Sequence, residues 1–543
     1  MPTSTSPSAN SPPPAPLPTL PFEIQRRIIH FRLALSPSYP SAIADDEDPN
    51  LSWDVWAGVK GRNSTVKRVE ERKDVGRAAR GLMGVCKAWK PVVMRYLYAE
   101  PHLIHNLPLL SSTIVRGDSK WSDINIHQFS LPGRYLTTLD LSVLSSKLHP
   151  TQIRKACLDI FPLVPNLTHL ILPPMARPRF GGKAVLPFPL EEIGWAAFSK
   201  NMRCLEGVEV DEEVDGQGGD GLVELLRRLP NLEVLAVNGP GNVIIPLEER
   251  PSPRLRLSKL HTLKLDNVIC GRLINTLIDA DLPALRRLLI TPFYQHPLIQ
   301  TQALQEGHGD KIVSLAYLPS HLQLRSGGEV DAYVEETMNL HPNLRHLSFF
   351  LQDETSLEHL NTILCSAAST GRPLQTLTIP RWTDSPSTSS SSSDAVSASG
   401  LFPSASPFGT TSSAQTTPTP HRFLDTMIQR PPPNLKRVNV DGFKWVKAEL
   451  GKVAMTAGKS GEMRIWAGVL ARKGIELGDM DGGLAPALSP GGAGSGVTGC
   501  MGAVNGRRRS SAGAGRGRVG GMSPREGSGS PPRHRGGEDE DGG

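Results

Sequence analysis

The chain has 543 residues, a net charge of +6 and 38% hydrophobic residues, and Gly 52 with Pro 48 supply 100 of the 543. That share, about 18% against roughly 12% in average usage, with only 5% aromatic residues, argues against one compact enzyme filling the whole length. The charge is too weak for a dedicated nucleic-acid binder, and six scattered cysteines without a CxxC pair fit reduced thiols in a cytosolic or nuclear protein better than a disulfide or zinc framework.

Residues 1–16, MPTSTSPSANSPPPAP, lack an apolar core for a signal peptide and read as a disordered leader. No run of about 18 apolar residues follows anywhere, so no membrane span is expected. Residues 17–107 read as a small helical module with a loop insert at about 36–65. In its first block, LPTLPFEIQRRIIHFRLAL, Pro21 opens a helix, Glu23 sits in the first turn, and Phe22, Ile24, Ile28, Ile29 and Leu33 form an apolar face. The insert carries the acidic run Asp45-Asp46-Glu47-Asp48. The second block, GLMGVCKAWKPVVMRYLYAEPHL from Gly81 to Leu103, returns to helical spacing through Leu82, Val85, Cys86, Trp89, Val93, Leu97 and Tyr98.

Residues 108–475 carry a repeat, L-x-x-L-x-L with Val, Ile, Phe or Tyr allowed. It begins at Leu136, Leu167, Leu205, Leu232, Leu260, Leu285, Ile312, Leu344, Leu374 and Leu435. Successive starts are 31, 38, 27, 28, 25, 27, 32, 30 and 61 residues apart, and the last gap contains a Ser-rich insert at 383–420. Each x-L-x-L stretch predicts a short strand with one buried face. Amphipathic runs such as TQIRKACLDIF, DGLVELLRRL, GRLINTLIDA, EVDAYVEETMNL and SLEHLNTILCSA predict helices between the strands. Pro165, Pro230, Pro283, Pro342, Pro373 and Pro433 stand just ahead of the next Leu and stop the helix. A single unit cannot bury its leucines alone, whereas stacked neighbours can, at about 1.5–3 kcal/mol per buried Leu. The competing reading is one globular α/β domain with Leu-rich strands. Near the end, FKWVKAEL and EMRIWAGVLARKGIEL read as helices sealing the stack, and residues 476–543 read as a disordered Gly/Arg/Ser-rich tail. The tail offers Arg507-Arg508-Arg509-Ser510-Ser511, three Ser-Pro pairs, and a GRGR segment suited at most to loose RNA contact.

Signals for catalysis fail on their context. Ala457-Gly458-Lys459-Ser460 ends like a phosphate-binding loop, but Val453 stands where the first Gly is required. Gly494-x-Gly496-x-x-Gly499 lies in the Gly-rich tail without a flanking strand or helix. There is no HExxH, GxSxG or metal-spaced Cys/His cluster, so no catalytic residue, cofactor or metal is expected. His169, His261 and His346 fall at strand positions expected to be exposed.

The repeat resembles a leucine-rich-repeat horseshoe of the long, irregular type, over roughly 103–470. The Asn or Cys of that family, three residues after the third apolar position, is approached in one unit only, by Asn267 and Cys270. The two N-terminal blocks resemble the F-box in their LP-x-E-[IL] opening, V-C-[KR]-x-W and LY, with an insert of about 45 residues between them and Gly84 where Ser is usual. The fold expected is therefore α/β: an F-box-like helical module followed by an irregular leucine-rich-repeat solenoid. The resemblance implies a non-catalytic substrate receptor that holds a Skp-type adaptor, and through it a cullin, within a ubiquitin ligase. Adaptor contacts would fall to Leu20, Pro21, Ile24, Ile28, Val85, Cys86, Lys87 and Trp89, with Trp89 equally suited to the module's interior. Target contacts would fall to the x positions of the sheet, among them Thr262, Lys264, Arg287, His346, Ser348, Arg437 and Asn439, whose basic balance suits an acidic or phosphorylated target. The alternative is a repeat scaffold with no ligase role, its N-terminal helices serving only as a cap.

Overall fold

Apart from a few short gaps, the computed structural model describes residues 21–33, 62–122, 132–173, 190–209, 220–239, 254–268, 272–291, 301–318, 337–348, 373–379, 429–440 and 466–478. The predicted leader, most of the loop insert, the Ser-rich insert, the FKWVKAEL and SLEHLNTILCSA stretches, and the tail beyond Gly478 lie outside them.

Eleven strands form one mixed α/β architecture around a single parallel sheet. They are β1 Thr138–Asp140, β2 His169–Ile171, β3 Cys204–Glu209, β4 Val234–Asn238, β5 Thr262–Asp266 and β6 Arg287–Ile290. Then come β7 Ser314–Tyr317, β8 His346–Ser348, β9 Thr376–Ile379, β10 Arg437–Val440 and β11 Glu476–Gly478. Their order in the sheet is their order in the chain, so each strand pairs only with its sequence neighbours. The register places the fourth position of every unit in one row: Leu139, Leu170, Leu205, Leu235, Leu263, Leu288, Leu315, Leu347, Leu377, Val438 and Leu477. Every member of that row is buried in one continuous core, because side chains two apart on a strand share a face.

A second row, of main-chain carbonyls, ties the strands together. The Glu233 carbonyl accepts from both His261 N–H and Thr262 N–H, at 3.0 and 3.2 Å, and the His261 carbonyl accepts from both Arg286 and Arg287 at 3.1 and 2.9 Å. The same fork recurs from Thr137 through Gln375.

Helices lie between several strands: α6 Pro150–Ile160, α7 Leu190–Trp195, α8 Asp220–Arg227, α9 Arg272–Ile278 and α10 Thr301–His308. In α6, Pro150 follows the cap residue His149, and Ile153, Ala156, Cys157 and Ile160 face the core at helical spacing. Burial pushes the Cys157 thiol up to about 12, with the Glu192 carboxylate adding to the shift, which keeps it protonated and unreactive.

Four features depart from the sequence reading. The third unit begins at Met202 rather than Leu205, since Leu205 pairs with Leu170 and Leu235 in the fourth-position row. The extra residue that masked this register is Gly207, which sits at φ 75° in a bulge of β3 and whose absent Cβ would meet the Leu172 carbonyl oxygen at 2.9 Å. The second departure is at the C-terminal end, where the helix among the described residues stops at 471 and Glu476–Gly478, read as the start of the tail, adds an eleventh strand. Gly474 at φ 77° ends that helix: its N–H reaches the Ala471 carbonyl at 3.0 Å and the Ile475 N–H reaches Leu470 at 3.0 Å.

The third departure is in the N-terminal module, where the second block is not one helix. Helix α2 (Arg62–Met83) takes in the end of the supposed loop insert and stops before Gly84, and α3 (Lys90–Ala99) starts after a turn, with Pro91 in its first turn. With α1 (Phe22–Leu33) these enclose a separate small core of Ile29, Leu33, Ala79, Val92 and Val93. Lastly, an asparagine ladder links successive units. Asn166, Asn201, Asn231 and Asn343 each stand one residue before the first apolar position. Each donates its amide to a carbonyl of the preceding unit: Arg134 (2.8 Å), Pro165 (2.9 Å), Lys200 (2.7 Å) and Asp310 (2.7 Å) respectively.

Module and sheet are joined without a free linker. The Ala99 carbonyl, at the end of α3, accepts the Thr137 N–H at 3.0 Å and the Thr137 hydroxyl at 3.1 Å. It thus stands where an earlier strand's carbonyl would stand. Nearby, Arg95 lies over the Tyr135 ring at 5.8 Å. Helix α4 (Leu107–Ser122) packs on the short α5 (Pro132–Tyr135) and on α6, and extends the helical layer toward the module.

Candidate functional site

The helical module presents apolar side chains that its own core leaves unused. On α1, Ile29 and Leu33 point into the small core, while Ile24 and Ile28, one turn apart, stay exposed. Pro21 precedes them, exposed, and its carbonyl starts α1 by accepting from Ile24 and Gln25. Val85, in the turn after α2, is the most exposed apolar side chain of the module among the described residues, and Lys87 is exposed beside it. Trp89 is half-buried and packs against Val92, Val93 and their neighbours, while its carbonyl accepts the Val93 N–H at 2.9 Å. It serves the module's interior more than its surface. Leu20 and Cys86 lie outside the described residues.

The second candidate surface is the face of the sheet opposite the leucine row. Its side chains were expected to project into solvent, and several do not. Thr262 and His346 are buried, Arg437 nearly so, and Ser348 and Asn439 are fully enclosed. His169 and His261 are half-buried instead of exposed. A strand within a sheet is flanked on both sides, and at a spacing of about 4.8 Å its neighbours' side chains cover much of each residue. Residues at this row are thereby sheltered although nothing in their own unit predicts it.

The charged members differ in how they are held. Lys264 Nζ lies 3.5 Å from the Asp266 carboxylate on its own strand. Arg437 Nη2 lies 3.4 Å from Glu476 on β11, and its Nε has no acceptor. Arg287 is half-buried between Thr262 and Ser314 in the register. Burial holds the His346 imidazole down to about 4, and the Arg287 and Arg345 guanidiniums push the same way, so the ring is neutral at pH 7 in a positive local field. Around β6 and β7, in the middle of the sheet, the same face carries an apolar group, Leu289, Ala316 and Leu318, which forms its own cluster apart from the main core.

Two further features were not legible from the repeat. Between α2, α3 and α4 lies a cleft of about 250 Å³ lined by Lys73, Arg80, Tyr96, Leu97, Leu109 and Thr113 among others. On the helical side, Trp195 is exposed with the Arg228 guanidinium 3.9 Å above its ring. The described residues hold no group of three His, Cys, Asp or Glu side chains placed to bind a metal ion. None of their helices is long and apolar enough to cross a membrane.

No family model matches this chain, and no curated protein matches it.

Proposed function

We propose that the protein is a non-catalytic substrate receptor of a Skp–cullin–F-box ubiquitin ligase. Helices α1 to α3 act as an F-box-like module that docks an adaptor, and the following units act as a leucine-rich-repeat solenoid that holds the target. The observation that carries the reading is the exposure of Pro21, Ile24, Ile28 and Val85, apolar side chains that take no part in the module's own core. An apolar helix face of this kind gains by lying against another helical surface. The eleven parallel strands in chain order, with one leucine row, support the solenoid.

The full chain should co-purify with a Skp-type adaptor when the two are produced together, and Ile28→Asp should abolish the complex while the chain stays folded. Absence of a complex at micromolar concentrations would remove the ligase role. A scaffold whose N-terminal helices only cap the sheet is the second reading, favoured by the Ala99 junction and the inward packing of Trp89. It requires that Ile28→Asp change no interaction at all.

A further inference from the structure

The first candidate for a second site is the C-terminal third of the sheet's non-leucine face. There three neighbouring strands carry polar side chains in register: Ser348 on β8 beside Thr378 on β9, and Thr378 beside Asn439 on β10. These three are exposed by only 1%, 5% and 1%. The Ser348 hydroxyl, the Thr378 hydroxyl and the Asn439 side-chain oxygen are all buried without a hydrogen-bond partner, and so is Arg437 Nε, two residues before Asn439 on the same strand. Native interiors leave very few polar atoms unpaired, and four in one patch of three strands is a concentration that needs an explanation. Other buried atoms without a partner, such as Glu192 Oε2, Arg228 Nη1 and Glu233 Oε2, lie outside these three strands, and Tyr317, by contrast, shares its hydroxyl with Thr337 at 2.6 Å.

Each of the four side chains can donate a hydrogen bond. Two hydroxyls and a guanidinium N–H can donate, and the Asn439 amide can present its NH₂ by rotation of the amide plane. Glu476 holds one edge of Arg437, and the guanidiniums of Arg287 and Arg345 act on His346, two residues before Ser348 on β8. Gly478 continues the row on β11, and the Asn439 side chain fills the space that a Cβ there would take.

We propose that β8, β9 and β10 form an oxyanion-binding site, in which Arg437, Thr378 and Asn439 hold a phosphate or carboxylate group of an extended target peptide. Ser348, one strand further, takes a neighbouring acceptor of the same peptide. The site rests on the substrate-receptor reading for its ligand's origin, but its anion chemistry does not depend on an adaptor. It lies away from Lys264, whose ammonium is already committed to Asp266. Arg437 is the charged donor and Glu476 its built-in competitor.

The test uses the full chain. Inorganic phosphate is titrated while thermal unfolding is followed. The chain is then passed over three immobilised pools of random peptides with a fixed central phosphoserine, glutamate or serine. Phosphate should raise the melting temperature, and the phosphoserine or the glutamate pool should retain the protein over the serine pool. Whichever anionic pool binds names the group. Arg437→Gln should weaken retention at least about tenfold, Glu476→Gln should strengthen it, and Lys264→Gln should leave it unchanged. Thr378→Val is the variant safe against misfolding. It replaces an unpaired buried hydroxyl by a methyl of the same shape, so the ligand-free chain should melt higher while its response to phosphate is lost. Equal retention by all three pools, or a phosphate response that survives in both Arg437→Gln and Thr378→Val, overturns the site. Adaptor co-purification of the same variants separates the two claims. Loss of anion binding with the adaptor still bound indicts only the site, and a working site without adaptor binding indicts only the ligase role.

Discussion

Replacing Ile24, Ile28 and Val85 together by Ala tests the proposed adaptor contacts quantitatively. These residues are 40%, 43% and 60% exposed, so docking can still remove that much of each from water. At about 1.5–3 kcal/mol for a fully buried aliphatic side chain, the exposed fractions are worth about 0.6–1.2 kcal/mol for each Ile and about 0.9–1.8 kcal/mol for Val85. Together that is about 2–4 kcal/mol, or roughly 30- to 900-fold in Kd. The assay is calorimetric titration of the full-length triple variant with a Skp-type adaptor, beside the unaltered chain. The folded state should hardly change, because none of the three side chains belongs to the buried core of Ile29, Leu33, Ala79, Val92 and Val93. A Kd within threefold of the unaltered chain would refute the assignment of these side chains to the adaptor.

Leu263→Ala, in the middle of the leucine row and fully buried, should cost about 2–5 kcal/mol in urea unfolding, with loss of hydrogen-exchange protection concentrated in β4 to β6. Asn231→Ala should cost about 1 kcal/mol, the worth of one amide-to-carbonyl bond between units, as measured by the shift in urea midpoint. Gly207→Ala should cost about 1–2 kcal/mol, because the bulge holds φ at 75° and the new Cβ meets the Leu172 carbonyl; an unchanged melting temperature would argue against the bulge. His341 is buried with Nδ1 3.3 Å from the Gly309 carbonyl and Nε2 3.2 Å from Gln305 Oε1, and burial holds its imidazole down to about 4 despite the Gly309 bond. Below about pH 6.5 the unfolded chain takes up a proton that the folded chain refuses, so this group's contribution falls with pH down to about 4 and is smaller by about 2 kcal/mol at pH 5 than at pH 7. His341→Gln should flatten the difference in urea midpoint between those two pH values.

The strands were legible because the fourth-position leucine is set by the local alternation of each unit, and alternation survives any arrangement of neighbours. Leu263 and Leu347 could be placed on a buried face from their own few residues. The register of the third unit could not, since Gly207 inserts a residue and lets Leu205 pass for a first position when Met202 holds it. The eleventh strand was hidden for a related reason: Gly474 occupies the place of its first leucine, and its role is to end a helix. The asparagine ladder was in plain view as Pro-Asn-Leu at Asn166, Asn231 and Asn343. Its meaning, however, depends on a carbonyl more than thirty residues earlier. The candidate sheet site was half legible. Alternation puts Ser348, Arg437 and Asn439 on one face, but Thr378 was not singled out, and the shelter of all four comes from the strands beside them, which no single unit encodes.

The carbonyl of Ala99 gives the sheet an origin. Because a helix end occupies the place of a preceding strand, the carbonyl forks are counted from the module itself, and each unit then advances the sheet by one step of about 4.8 Å. From β1 to β10 there are nine steps, about 43 Å measured along the sheet. The protein is in this sense a ruler: its units set how far anything gripped at Arg437 is held from anything gripped at Ile28. Excising one whole unit, such as Leu260 to Ala284, would leave both grips intact and move one relative to the other by a single graduation. If both grips are used as proposed, the number of repeats is a functional quantity in its own right.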